Sequence, residues 1–150
     1  MTSTKKGSGI PGETEARLRA IWARFKDTGD LGLAESFDPE IEWHLRADLP
    51  EPRTLRGHEQ VAQLYAEWTE TFEDLQLEPL DISEVGDRTI AVVHFRGRIK
   101  GSRQEVDMDE VWVYGWRDEK VIEIREYRTK DEALQSLGNS VRRAAGDGDA

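Results

Sequence analysis

Apolar positions along the chain follow two periods. Leu18, Ile21, Trp22 and Phe25 recur three and four residues apart, which predicts a helix with one buried face. Thr14 is placed to cap its start and Gly29 to stop it. A second, short helix is predicted from a cap at Asp30 to Phe37, because Leu33, Ala34 and Phe37 share a face and Asp38-Pro39 ends it. The period then drops to two. Ile41, Trp43 and Leu45 alternate with Glu42 and His44, the pattern of a half-buried strand. After a loop rich in proline and charge from Asp48 to Arg56, Gly57-His58-Glu59 opens the clearest helix, striped by Val61, Leu64, Tyr65, Trp68 and Phe72.

Strand-like alternation dominates the remainder. Between Leu77 and Leu80 the apolar parity flips with Pro79 at the flip, which predicts a bulge on an edge strand. After a turn at Gly86-Asp87, strands are predicted up to Lys100, from a Gly101-Ser102 turn to Trp116, and from an Asp118-Glu119 turn to Tyr127, before a short helix from Glu132 to Leu137. Helices, a strand, a helix and an antiparallel meander make an α+β chain. Residues 1–12 and 138–150 are small, polar and broken by glycine, so they are expected to be flexible ends of a single domain over 13–137.

The turns fix strand registers. A two-residue Gly-Ser turn sets Lys100 against Arg103 and so places His94 opposite Asp109, Arg96 opposite Asp107 and Arg98 opposite Glu105. Opposed unlike charges contribute about 0.2–1 kcal/mol each, so the basic row reads as a laced outer face, with His94 as a catalytic base the alternative. Through the Asp118-Glu119 turn, Arg117 faces Lys120, and two sheet faces separate. The outer one carries that charged row and a β-branched patch of Ile90, Val92, Val111, Val113, Ile122 and Ile124. Monomers rarely expose such a patch, so a homodimer through the outer sheet face is expected. The other face carries Val93, Phe95, Met108, Glu110, Trp112, Tyr114, Glu123, Arg125 and Tyr127. Aromatic walls with few charges suit a ligand pocket; a plain core with rim charges is the competing reading.

Charge and composition exclude several functions. A net charge of -10 over 150 residues argues against nucleic acid or an anionic membrane as partner. With Cys 0 there is no disulfide or thiolate chemistry, as suits a reducing cytoplasm. No apolar run approaches the ~20 residues of a membrane span, and Met1 to Gly12 lacks the apolar core of a secretory signal, so a cytoplasmic location is expected. The three histidines lie on separate elements with no converging carboxylates, and no glycine-rich phosphate loop occurs; neither metal nor cofactor is expected.

Several short stretches, in their order and spacing, resemble the SnoaL-like branch of the NTF2-like, or ketosteroid-isomerase-like, superfamily across residues 14–137. They are Phe25 to Asp30, Phe37 to Trp43, Arg56 to Val61, Val111-Trp112-Val113, and Arg125-Glu126-Tyr127 ahead of Glu132-Ala133-Leu134. The resemblance implies a curved antiparallel sheet wrapped around helices into a cone with an internal pocket, the aromatic face being concave. Ketosteroid isomerases, which the chain resembles, use a tyrosine on the first helix, a carboxylate base on the strand after Asp-Pro, and an acid on the sheet. Those positions match Trp22, Trp43 and Trp112, and indole can neither act as a base nor abstract a carbon-bound proton, so steroid isomerisation is not expected. The Asp-Arg-Asp set of limonene-epoxide hydrolases is imitated only in part by Arg125 and Glu110.

What remains as chemistry is Glu110, a carboxyl among aromatics, with Tyr127 and Arg125 as its expected catalytic partners. Trp22, Trp43, Tyr65, Trp68, Phe95, Met108 and Trp112 are the expected substrate-binding walls. Two functions fit: a small cofactor-free enzyme (cyclase, isomerase or hydrolase) acting on an apolar or aromatic metabolite by acid/base chemistry, or a non-catalytic domain holding a hydrophobic ligand.

Overall fold

The computed structural model describes residues 12–48 and 52–138; the flexible ends expected from sequence lie, apart from Gly12 and Gly138, outside them. In chain order the elements are α1 (Glu13–Thr28), α2 (Leu33–Ser36), β1 (Phe37–His44), β2 (Thr54–Arg56), α3 (Gly57–Thr71), β3 (Phe72–Val85), β4 (Arg88–Ile99), β5 (Glu105–Arg117) and β6 (Lys120–Tyr127). A final helix, α4, covers 130–138. One six-stranded sheet runs in the order β2-β1-β6-β5-β4-β3, parallel between β1 and β6 and antiparallel elsewhere. Helices α1 and α3 pack on its inner face, so the α+β cone expected from the resemblance is present.

The β4–β5 register matches the expectation: His94 opposes Asp109, Arg96 opposes Asp107 and Arg98 opposes Glu105. His94 Nδ1 lies 2.7 Å from Asp109 Oδ1, and that hydrogen bond raises the imidazole pKa, as a laced outer face requires. The bulge expected near Pro79 is also present, between Pro79 and Asp81 on the edge strand β3, and it leaves Leu80 exposed.

Four expectations need correction. Thr14 does not cap α1; Gly12 does, in the left-handed conformation, and Asp38-Pro39 lies within β1 rather than ending a helix. The parity of β6 inverts after its first pairs. Arg117 faces Lys120 as expected, but a bulge between Gly115 and Trp116 then sets Tyr114 against Ile124 and Trp112 against Glu126. Ile124 and Glu126 therefore face inward, while Glu123, Arg125 and Tyr127 face outward. Finally, α4 covers the outer β-branched patch: Ile90, Val111 and Val113 are buried with Ala133, and Val92, Tyr127 and Leu137 pack against them. The exposed patch that motivated a homodimer is thus satisfied within the chain.

Helix α1 is fastened by a half-buried polar chain. Trp116 Nε1 donates to Thr89 Oγ1 (2.9 Å), Thr89 donates to Thr14 Oγ1 (2.6 Å), and Thr14 donates to Glu84 Oε2 (2.8 Å). The Glu84 carboxylate also accepts the backbone N–H groups of Gly12 (2.9 Å) and Glu15 (3.0 Å), so a strand residue caps the helix in place of a local side chain. These backbone donors hold the Glu84 pKa below its ordinary value. An acid with a depressed folded pKa stabilises above its unfolded pKa and loses that contribution as pH falls through the folded one. Glu84→Gln should therefore cost about 1 kcal/mol at pH 7, a loss of a few degrees in melting temperature, with the two proteins' melts converging in acid.

Candidate functional site

The inner face gathers aromatic rings from five elements. Trp22 from α1 lies with its centroid 5.9 Å from Trp112 on β5; Trp43 from β1 lies 5.0 Å from Trp112, edge-on; Trp68 from α3 lies 5.5 Å from Phe95 on β4. Helical spacing on α1 and α3 and strand alternation on β1, β4 and β5 aim these rings at one point. Phe25 meets Tyr65 edge-on at 5.6 Å and bridges α1 to α3 over the top. Beneath lies a cavity of about 40 Å³, whose walls include Trp22, Trp43, Tyr65, Trp68, Trp112 and Tyr114. Five of the seven residues expected to bind substrate line it. Phe95 stands behind Trp68, and Met108 lies toward Arg46, its sulfur 3.8 Å from Nη1.

Glu110 faces inward, as expected, and is 6% exposed. Its partners differ. Oε2 accepts from Arg46 Nη1 at 3.0 Å and Oε1 from Trp112 Nε1 at 3.1 Å. Arg46 in turn grips Asp48 through Nε (3.0 Å) and Nη2 (2.9 Å). The second inward carboxyl is Glu126, 7% exposed, whose Oε2 accepts from Trp43 Nε1 at 2.8 Å. Burial, and next the charge of Glu110, push the Glu126 carboxyl up to about 8, so it holds its proton near neutrality. The two acids thus stand behind the indoles of Trp43 and Trp112, away from the cavity.

Tyr127 and Arg125 do not meet Glu110. The Tyr127 hydroxyl bonds Ser136 Oγ of α4 at 2.8 Å, and Arg125 pairs with Glu123 at 3.1 Å. They do share with Glu126 a polar cleft of about 470 Å³ at the ends of β1 and β6, which also exposes Arg46, Arg128 and His44. His44 Nδ1 lies 3.0 Å from Thr54 Oγ1, and burial lowers its pKa; His58 Nε2 lies 2.8 Å from the carbonyl of Phe37. Sequence reasoning missed Arg46, which lies past the end of β1, and Glu126. The signal for Glu126 was present: Val121, Ile122 and Ile124 cannot share one face at period two, the same parity break that revealed the β3 bulge.

Two polar groups line the cavity. Trp22 Nε1 is buried with no hydrogen bond of good geometry among the described residues, and the Tyr114 hydroxyl beside it is placed to accept a weak one. Burial raises the pKa of that hydroxyl, so it stays neutral.

The raised Glu126 pKa has a consequence for stability. A folded-state acid that binds its proton more tightly than the unfolded chain loses stability as pH rises from its unfolded value toward the folded one. Glu126→Gln keeps an acceptor for Trp43 Nε1 and removes the titration. Relative to wild type it should gain on the order of 1–3 kcal/mol between pH 5 and pH 8, measured by urea unfolding at both values.

Comparison with known proteins finds the SnoaL-like domain matching residues 14–124. No curated protein matches the sequence. Among solved structures, a protein described as a SnoaL-like polyketide cyclase from Jannaschia sp. CCS1 is similar at a TM-score of 0.67 and 19% identity, over 89% of this chain and 96% of that one. A protein of ketosteroid-isomerase-like fold from Catenulispora acidiphila, in complex with trimethylamine, has a TM-score of 0.63 and 18% identity over 76% of this chain and 85% of its own. TerC, co-crystallised with polyporic acid, has a TM-score of 0.63 and 18% identity, over 81% of this chain and 95% of its own. The inward aromatic face, the helices on it and the matched stretch agree: this chain belongs to the SnoaL-like domain family.

Proposed function

We propose that the protein binds a small, flat, apolar or aromatic molecule in the cone between α1, α3 and the sheet. The observation that carries this reading is the cavity itself: its walls are apolar and aromatic and carry two polar groups, the Trp22 indole N–H and the Tyr114 hydroxyl. Small ligands in two proteins of the same fold, trimethylamine and polyporic acid, support it. The cavity's 40 Å³ is far below the roughly 300 Å³ of an ordinary ligand pocket, so binding requires the Phe25–Tyr65 contact to part. Titration with the neutral fluorophore N-phenyl-1-naphthylamine should raise its emission and quench tryptophan. Trp68→Ala, at a partly exposed wall position, should weaken binding about tenfold; absence of any binding by wild type would sink the reading.

A catalytic role is the second reading, favoured by one observation: Glu126 holds a proton near neutrality and opens onto the cleft shared with Tyr127 and Arg125. Glu110, the carboxyl first expected to do acid/base work, has both oxygens engaged by Arg46 and Trp112, so in this reading the proton belongs to Glu126 and Glu110 holds Arg46. Exchange of the methyl protons of acetophenone in D₂O at and above pH 8, where Glu126 is ionised and can take them up, tests it. Catalysis predicts exchange above the buffer rate, lost in Glu126→Gln by about 10²-fold or more with ligand affinity kept. Exchange no faster than buffer, or equal in the variant, rules it out.

The converged tryptophans bear on the steroid reaction too. Trp22, Trp43 and Trp112 supply no base, so isomerisation of an unsaturated ketosteroid should proceed no faster than in buffer. Turnover well above that rate would overturn the correspondence of positions.

A further inference from the structure

The cavity wall is unevenly buried. Trp43, Trp112 and Tyr114 on the sheet side are buried, whereas Phe25, Leu31 and Tyr65 are half-buried, so the cavity comes nearest the surface between the end of α1 and α3. Leu31 belongs to a four-residue strap, 29–32, that joins α1 to α2. Both of its end glycines hold left-handed backbone, Gly29 at φ 73° and Gly32 at φ 71°. A Cβ on Gly29 would meet nothing within 4 Å, so glycine is needed there for its conformation and not for space. Among the described residues the strap's hydrogen bonds stay local. Gly29 N–H donates to the Phe25 carbonyl (2.8 Å), Asp30 N–H to Thr28 Oγ1 (3.0 Å), Gly32 N–H to Asp30 Oδ1 (2.8 Å), and Arg24 Nη2 to Asp30 Oδ2 (2.8 Å). The strap meets the body of the protein through an apolar contact, Leu31 against the core.

The two ends of α1 are held differently. Its first turn is pinned to β3 and β4 through Glu84 and Thr89, and Trp22 packs on Trp112 at 5.9 Å. Past Trp22, the helix end is held by Phe25, edge-on to Tyr65, and by exposed ion pairs from Arg24 to Asp30 (2.8 Å) and Glu35 (3.2 Å), which contribute little in water. A segment tied by so few buried contacts opens at less cost than the whole fold.

We propose that the strap from Gly29 to Gly32 is a hinged lid on the cone, which swings Leu31 out of the cavity wall and frees Phe25 from Tyr65 while the first turns of α1 stay on the sheet. The inference rests on the cone being a ligand site and adds where the ligand enters and which segment moves. With the lid shut, about 40 Å³ remains inside. With it open, the space of Leu31 and Phe25 joins that volume.

The chain has Cys 0, so one introduced thiol reports opening with no ligand present. Val61→Cys puts it on the cavity wall, at a position 1% exposed, and Val93→Cys puts it in the core away from the cavity, at a position 0% exposed. Methyl methanethiosulfonate without denaturant, followed by mass, should modify Val61→Cys at least about tenfold faster than Val93→Cys. Adding Arg24→Gln should speed Val61→Cys about two- to fivefold further and leave Val93→Cys unchanged. Equal rates at the two thiols overturn the lid, and so does a Val61→Cys rate that Arg24→Gln fails to move. Leu64→Cys, on the same wall and 2% exposed, takes the place of Val61→Cys should that variant not fold. Stopped-flow mixing with N-phenyl-1-naphthylamine gives a second readout: Leu31→Ala should raise association and dissociation rates together, about three- to tenfold, with a smaller change in Kd. A change confined to dissociation makes Leu31 a plain wall and overturns the lid. A wild type that does not bind the fluorophore sinks the cone as a ligand site, and the thiol rates still decide whether the strap opens.

Discussion

Two buried acids lie near a single guanidinium. Glu110 and Glu126 are each less than a tenth exposed, and Arg46 is the cation within salt-bridge reach of Glu110. Burying two negative charges against one positive charge is unfavourable, since an unpaired buried ion costs several kcal/mol. The arrangement resolves this by pairing Glu110 with Arg46 at 3.0 Å and leaving Glu126 protonated near neutrality. Arg46 is itself held by Asp48, so the loop after β1 is tied to the middle of β5.

That resolution organises the aromatic wall. Each acid accepts one indole N–H, Glu126 from Trp43 and Glu110 from Trp112, which fixes two rings whose faces bound the cavity. The carboxylates act here through the tryptophans they orient. On the opposite side, the Trp116–Thr89–Thr14–Glu84 chain fixes α1, and with it Trp22. The cone is thus polar at its supports and apolar inside, the composition of a binding site whose selectivity rests on a few placed donors.

The SnoaL-like scaffold carries unrelated activities, so its membership says little about chemistry without the side chains at the site. Here those side chains are tryptophans at the positions matched to a base, an acid and a tyrosine, and they meet at the cavity. The buried acid that holds a proton, Glu126, instead borders the polar cleft at the sheet end. A layer of indole separates it from the cavity.

Local rules determined much of this from sequence. Periods of 3.6 and two identified α1, α3 and the strands, a glycine-first turn fixed the β4–β5 register, and that register placed Phe95, Glu110 and Trp112 on the inner face and His94 on the outer one. These depend on residues close along the chain or on one short turn, where the physics is local. The β6 register was decided by tertiary structure: a bulge opposite Gly115 exchanged Glu126 for Tyr127 and Arg125, because a single extra residue inverts every later side chain of a strand. The partners of Glu110 were decided the same way. Arg46 and Glu110 are 64 residues apart, and only the folded sheet sets which cation reaches a buried acid. The covering of the outer patch by α4 follows the same logic, since period shows that a face is apolar while packing alone decides what buries it.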